Sequence, residues 1–278
     1  MIANITGALV RALLVMVLIA TPSLMLPGVS SDTTQIVALV ALFAGALTFF
    51  EYVSTYPGLV EFRDAPPFNR MRFVSLFATV LLLSAIVRGQ TDPSTLTNLI
   101  QTLGNHLGAA IDVPYSPVRL VVLMLPEDMS VQHLILVRTT AGIAYMISLL
   151  TLIFFVLVMR LLGWPNRMGK FNVWVNLPTF DPTTGGDVVD RLQRDARFNI
   201  ALGFLLPFLV PAAVKAASVA FTPVTLESPQ TLIWTMAAWA FLPASLFMRG
   251  IAMGRIASMI AEKRRRKQSQ SQADLQPA

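Results

Sequence analysis

The chain has no cysteine. That excludes disulfides, thiolate nucleophiles, iron–sulfur clusters and cysteine-ligated zinc together. Histidine is nearly missing as well, with only His106 and His133 present. Charge is scarce: 13% of the 278 residues are Asp, Glu, Lys or Arg, about half the ~25% of a soluble domain. A chain so poor in charge cannot clothe a water-facing surface. With 55% hydrophobic residues and a mean hydropathy of +0.65, its expected solvent is the bilayer.

Several motifs are missing too. There is no GxxxxGK[ST], no GxGxxG between strand and helix, no HExxH and no GxSxG elbow, so phosphate cradles, zincin sites and hydrolase nucleophiles have no sequence support. No cofactor, metal or catalytic residue is expected. The net charge of +6 does not point to nucleic acid. Five of its cations form one terminal run, Lys263 to Lys267, and most others flank apolar segments, where basic residues fix membrane orientation.

What is present is a succession of apolar stretches. Crossing a hydrocarbon core of about 30 Å takes about 20 apolar residues in a helix. Six segments qualify, over 8–27, 34–56, 70–88, 134–162, 197–221 and 228–250. The expected fold is all-α, with six transmembrane helices in a membrane domain over 1–262 and a basic, polar tail over 263–278 expected to be disordered. The first segment is read as a retained helix. It has no lysine or arginine before Arg11 and no clear small-x-small cleavage site.

The connections alternate in charge. Arg63, Arg70 and Arg72 follow span two; Arg160, Arg167, Lys170, Arg191, Arg194 and Arg197 follow span four; Arg249, Arg255 and the terminal run follow span six. The other side holds Asp32, Asp92, Asp112, Glu127, Asp128 and Glu227, with only Arg88 and Arg119. Positive loops stay inside, so both termini are expected in the cytoplasm. Arginine outnumbers lysine 17 to 4, which together with the Ala, Leu and Val content suggests a GC-rich bacterium and hence its inner membrane.

Two connections carry helical patterning. In the outer loop, 89–133, Asp92-Pro93 offers a helix start. Leu96, Leu99, Ile100, Leu103, Leu107 and Ile111 then recur on one face, a candidate docking face. Val118 to Leu125 is apolar but too short to span. His133 is expected in the first turn of span four, behind the N-cap Ser130. In the inner loop, 163–196, Asp181 to Asp187 reads as a loop ending in an N-cap, followed by a helix running into span five. Gly250, Gly254 and Ser258 form a small-residue face for helix packing.

Charges within spans are functional candidates. Arg11, Arg138 and Lys215 sit near span ends, where they can snorkel. Glu51 lies at the inner end of span two among Phe49, Phe50, Tyr52 and Tyr56. It is either a proton- or cation-handling carboxylate or, the reading preferred, an interfacial group bonded to Arg63, Arg70 or Arg72. Pro207 and Pro211 fall near mid-bilayer, as a transport site or a kink. The favoured function is a non-catalytic membrane component: an accessory subunit, assembly factor or scaffold, whose partners are the bilayer and another membrane protein or itself. The alternative is a transporter or channel for a small solute or ion. A lipid-modifying enzyme is a distant third.

The charge alternation predicts that reporters fused after Ser31, near Asn105 and near Glu227 read as external. Those after Ala65, near Gly186 and at the C-terminus should read as cytoplasmic. An externally active fusion at Gly186 would overturn the six-span topology.

Overall fold

A computed structural model describes residues 2–165, 172–180, 185–221 and 223–274. The described residues are helical, with α1 (Ile2–Met25), α2 (Ser31–Val53), α3 (Phe68–Arg88), α4 (Thr95–Ile111), α5 (Pro117–Met124), α6 (Val131–Leu161), α7 (Val173–Asn176), α8 (Val188–Ala217) and α9 (Pro229–Asp274). Six of these, α1, α2, α3, α6, α8 and α9, are long and apolar enough to cross a membrane. No strand occurs among the described residues. The chain is thus a multi-pass helical membrane protein.

Local chemistry sets the helix starts. Ser30, Ser116 and Ser130 accept from the backbone N–H of Thr33, Arg119 and His133 at the heads of α2, α5 and α6, each meeting one of the donors a helix start leaves free. His133 therefore does sit in the first turn of α6. The start expected at Asp92-Pro93 is displaced. Ser94 caps α4 through a reciprocal box with Thr97, while Asp92 is drawn away by Arg88 at 2.6 Å. Asp187 caps α8, accepting from Val189 N–H at 2.7 Å and Asp190 N–H at 3.3 Å. The preceding 181–184 lie outside the described residues.

The helix expected before span five does run straight into it, the two forming one element, α8. One boundary moves. Span six, expected to end at Gly250, continues as α9 to Asp274, so the described part of the tail is helical rather than disordered. Its Lys, Arg, Gln and Ala residues are good helix formers. Glu262 pairs with Arg266 one turn on, and Arg264 reaches Asp187 at 2.5 Å. That contact with Arg264, followed by the capped N–H groups, holds the Asp187 carboxyl below its usual pKa range.

α3, α6 and α9 pack together at the centre. α8 lies along α9, and the α1/α2 hairpin leans on α3 through α1. α4 crosses α6, and α5 is wedged between α6 and α8. Two apolar cores result. One lies toward the acidic loops around Leu83, Ile86, Val121, Val137, Met236 and Trp239. The other lies toward the basic loops around Phe62, Phe68, Phe155, Trp164, Leu192 and Met253. Hydroxyls in the spans donate one turn back, Thr79 to Ser75 O, Ser84 to Val80 O and Thr140 to Leu136 O, which removes their cost in an apolar medium.

Close backbone approach fixes the α8/α9 pair. A Cβ on Gly203 would stand 2.7 Å from Pro243 O and 3.0 Å from Phe247 N. Because those are backbone atoms, they cannot rotate away. Gly203→Val should destabilise the protein by about 1–3 kcal/mol, the usual range for overpacking, measured by SDS-titrated unfolding in mixed micelles. Gly185→Ala, with nothing within 4 Å of its Cβ position, should have no effect. Equal stabilities would show that α8 and α9 are not held this tightly.

Candidate functional site

The polar groups gather at the two ends of the bundle. At the basic end Glu51, two residues before the end of α2, turns its carboxylate onto the connection to α3. Its oxygens accept from the N–H groups of Gly58, Leu59 and Val60 at 2.9–3.2 Å. The arginines expected to pair with this carboxylate do something else. Arg63 donates to the main-chain carbonyls of Glu51 and Ser54, satisfying acceptors that the end of α2 leaves open. Glu51 is thus the hub of a turn, gathering three backbone donors.

A bidentate ion pair in this region joins residues that no sequence spacing connects. Glu61, in the α2–α3 connection, meets Arg249 of α9 in a bidentate pair, Oε2 to Nε at 2.6 Å and Oε1 to Nη2 at 2.9 Å. Thr179 donates to Glu61 Oε1 at 2.6 Å. Beside it the buried Asn176 receives the N–H of Asp64 on its side chain, while its carbonyl receives the N–H of Phe62. Phe62 packs on Phe68 with ring centroids 4.2 Å apart and the planes tilted by 40°, and Phe68 meets Phe155 edge-on. Arg72 is turned inward over the rings of Phe68 and Phe241 at 5.5 and 5.9 Å, with its buried Nε left without a hydrogen bond.

At the acidic end α4 does not use its leucine stripe as a unit. Its buried residues are Thr97, Gly104 and Gly108. Gly108 meets Gly142 of α6 so closely that a Cβ on Gly142 would lie 2.5 Å from Gly108 Cα. Ile100, Leu107 and Ile111 pack on the core beside this seam, whereas Leu96, Leu99 and Leu103 are 65%, 56% and 55% exposed. Asn105 accepts from the Thr139 hydroxyl across the same contact. Beyond the end of α4, Asp112, with a side chain only 8% exposed, faces Arg119 at 3.5 Å and Arg138 at 3.8 Å. Both contacts are loose, and Asp112 Oδ1 and Arg138 Nε are buried without hydrogen bonds.

The two histidines are apart in role. His133 Nε2 lies 2.8 Å from Thr225 O, and His106 Nδ1 lies 2.8 Å from Thr102 O. Among the described residues no group of three or more potential metal ligands comes together. Of the proline pair in α8, the gap made by Pro211 is filled. Pro211 has no N–H for the carbonyl of Pro207, and Trp239 Nε1 supplies one at 3.1 Å. Of the small-residue face, Gly250 approaches Ala196 O and Ile200 of α8, Gly254 stands farther from Ala196, and Ser258 is exposed and donates to Gly254 O.

The chain matches no family model, and no curated protein or solved structure is significantly similar to it.

The Glu61–Arg249 pair ties the α2–α3 connection to the last helix. Removing one partner of a buried pair costs about 3–5 kcal/mol. Here Arg249 is 26% exposed on its side chain and Glu61 12%, so solvent screening lowers the expected loss for Arg249→Ala to about 2–3 kcal/mol. Arg249→Lys should recover only part of it, because an ammonium cannot grip both oxygens. SDS-titrated unfolding measures both, and a wild-type midpoint for Arg249→Ala would show the pair to be ornamental.

Proposed function

We propose that this chain is a non-catalytic component of a membrane assembly, a subunit, scaffold or assembly factor, and that it presents α4 to a partner protein. The carrying observation is the split of α4. Its glycine face is spent on α6, so Leu96, Leu99 and Leu103 point away from the bundle. Burying one leucine contributes about 1.5–3 kcal/mol, which makes three in a row a strong docking strip. α4 carries neither lysine nor arginine, so it lacks the cations by which an interfacial helix holds anionic lipid. A protein surface is the occupant that fits.

Two features that a transport reading would use are engaged within the fold. Glu51 is engaged by three backbone donors, and the carbonyl freed by Pro211 is engaged by Trp239. We place the basic loops and both termini in the cytoplasm and the protein in a bacterial inner membrane. These assignments rest on the charge alternation between the spans and, for the organism, on arginine content.

The test is purification of the full chain from its native membranes in mild detergent. Wild type should carry a membrane protein in fixed ratio or run as a dimer. Leu99→Asp with Leu103→Asp should release that partner while the protein stays monodisperse, and Gln101→Lys should leave it bound. A double variant that is folded and keeps every partner would remove the docking role of α4.

A further inference from the structure

A second surface feature lies at the other end of the bundle and concerns lipid. Between α3 and α6 runs a furrow of about 380 Å³ lined by Arg70, Met71, Val74, Ser75, Ala78, Ile147, Leu150, Thr151 and Phe154. Small residues on α3 make it. Ser75 and Ala78 set the floor low, while Val74, Leu150 and Phe154, each more than half exposed, stand as its walls. The floor is dry in chemical terms: the Thr151 hydroxyl is 2.8 Å from Ser75 Oγ and 2.7 Å from Ile147 O, so its polar atoms are already paired. From Arg70 to Ala78 the furrow follows eight residues of α3, about 12 Å at 1.5 Å per residue.

Arg70 closes the basic end of this furrow. It is exposed and makes no hydrogen bond or ion pair among the described residues, unlike its neighbours Arg63, bound to carbonyls, and Arg72, folded over aromatic rings. A guanidinium with free donors at the membrane interface matches a phosphodiester, which it can grip with two parallel hydrogen bonds. An apolar furrow leading from it along two spans matches an acyl chain. We infer that this furrow is a binding site for one anionic phospholipid of the leaflet on the basic side, its phosphate on Arg70 and a chain lying over Ser75 and Ala78 between α3 and α6. Net negative charge is specified by the surroundings. The carboxylates nearby are already engaged, Asp64 by Arg63, Glu61 by Arg249 and Glu51 by backbone N–H groups, which leaves Arg70 as a free cation at the mouth, so a headgroup carrying its own cation would be disfavoured.

The experiment uses the full chain, purified and exchanged into equal amounts of phosphatidylglycerol and phosphatidylcholine, with retained lipid counted by native mass spectrometry. Wild type should retain phosphatidylglycerol preferentially. Arg70→Gln should lower that preference by about fivefold, the share expected of one arginine near the membrane surface. Ala78→Leu, which raises the floor, should reduce retention of both lipids without changing their ratio. Arg160→Gln, at the basic end of α6 and outside the furrow, should behave as wild type. Equal retention of the two lipids by wild type, or a preference that survives Arg70→Gln, overturns the site. A folded Ala78→Leu protein with undiminished retention overturns the furrow as the seat of the chain.

Discussion

Hydrocarbon offers no hydrogen bonds, and this structure is arranged around that deprivation. An unpaired peptide group inside the bilayer costs several kcal/mol, so a span interrupted by proline gains from a replacement donor. Pro211 withholds an N–H from Pro207 O, and the replacement donor is an indole on another helix, Trp239. That single bond turns a defect of α8 into a cross-link to α9, next to the turn where Gly203 already lets the two backbones touch. The hydroxyls of Thr79, Ser84 and Thr140 spend their donors on their own helices. Those hydroxyls are thus spent inside the fold, and the unbonded Nε atoms of Arg72 and Arg138 lie toward the ends of their spans.

At the basic end the same logic folds a connection instead of a helix. Residues 57–65 would expose a run of N–H groups at the membrane surface. Glu51 collects three of them, and Asn176 collects two more, on its carbonyl and its side chain. Phe62 then enters the aromatic core with Phe68 and Trp164, which brings Glu61 under Arg249. The ion pair is a consequence of that packing as much as a cause of it: carboxylate and guanidinium can meet bidentately only once the connection has been pulled flat against α9.

The spans could be read from composition because apolar length and loop charge are properties of contiguous residues. The N-caps at Ser130 and Asp187 were legible for the same reason. The end of α9 was not, since a polar tail looks disordered until Asp187, 77 residues away from Arg264 in the chain, supplies a partner. The Glu61–Arg249 pair spans 188 residues, and no spacing rule reaches that far. α4 is a case of another kind. Leucines at helical spacing mark a candidate docking face, but that spacing does not show that Gly104 and Gly108, spaced as a helix-pairing motif, make the contact with α6. Amphipathic periodicity says that a helix has two faces. Which of them meets protein depends on how close the neighbour's backbone can come, and that is decided by Gly142 on α6.

The two ends differ in how far their polar groups are committed. At the basic end, carboxylates and guanidinium groups meet at hydrogen-bonding distance: Glu61 with Arg249, Asp187 with Arg264. Arg72 has no hydrogen bond at Nε but lies against two rings. At the acidic end the exposed Arg88–Asp92 pair is as short, at 2.6 Å, but the buried carboxylate is held at longer distances. Asp112 stands 3.5 and 3.8 Å from its two arginines, and its Oδ1 and the Nε of Arg138 are buried with nothing to bond. A buried carboxylate held this loosely forfeits most of the Coulombic return on its desolvation. The exposed Leu96, Leu99 and Leu103 lie on the helix that leads directly into Asp112. Unmet polar groups and uncovered leucines therefore fall in one place, the α4–α5 region and the α6 turn it crosses. An end that is incomplete in both respects is the end at which further contacts would stabilise the fold most, which supports the proposed role of α4.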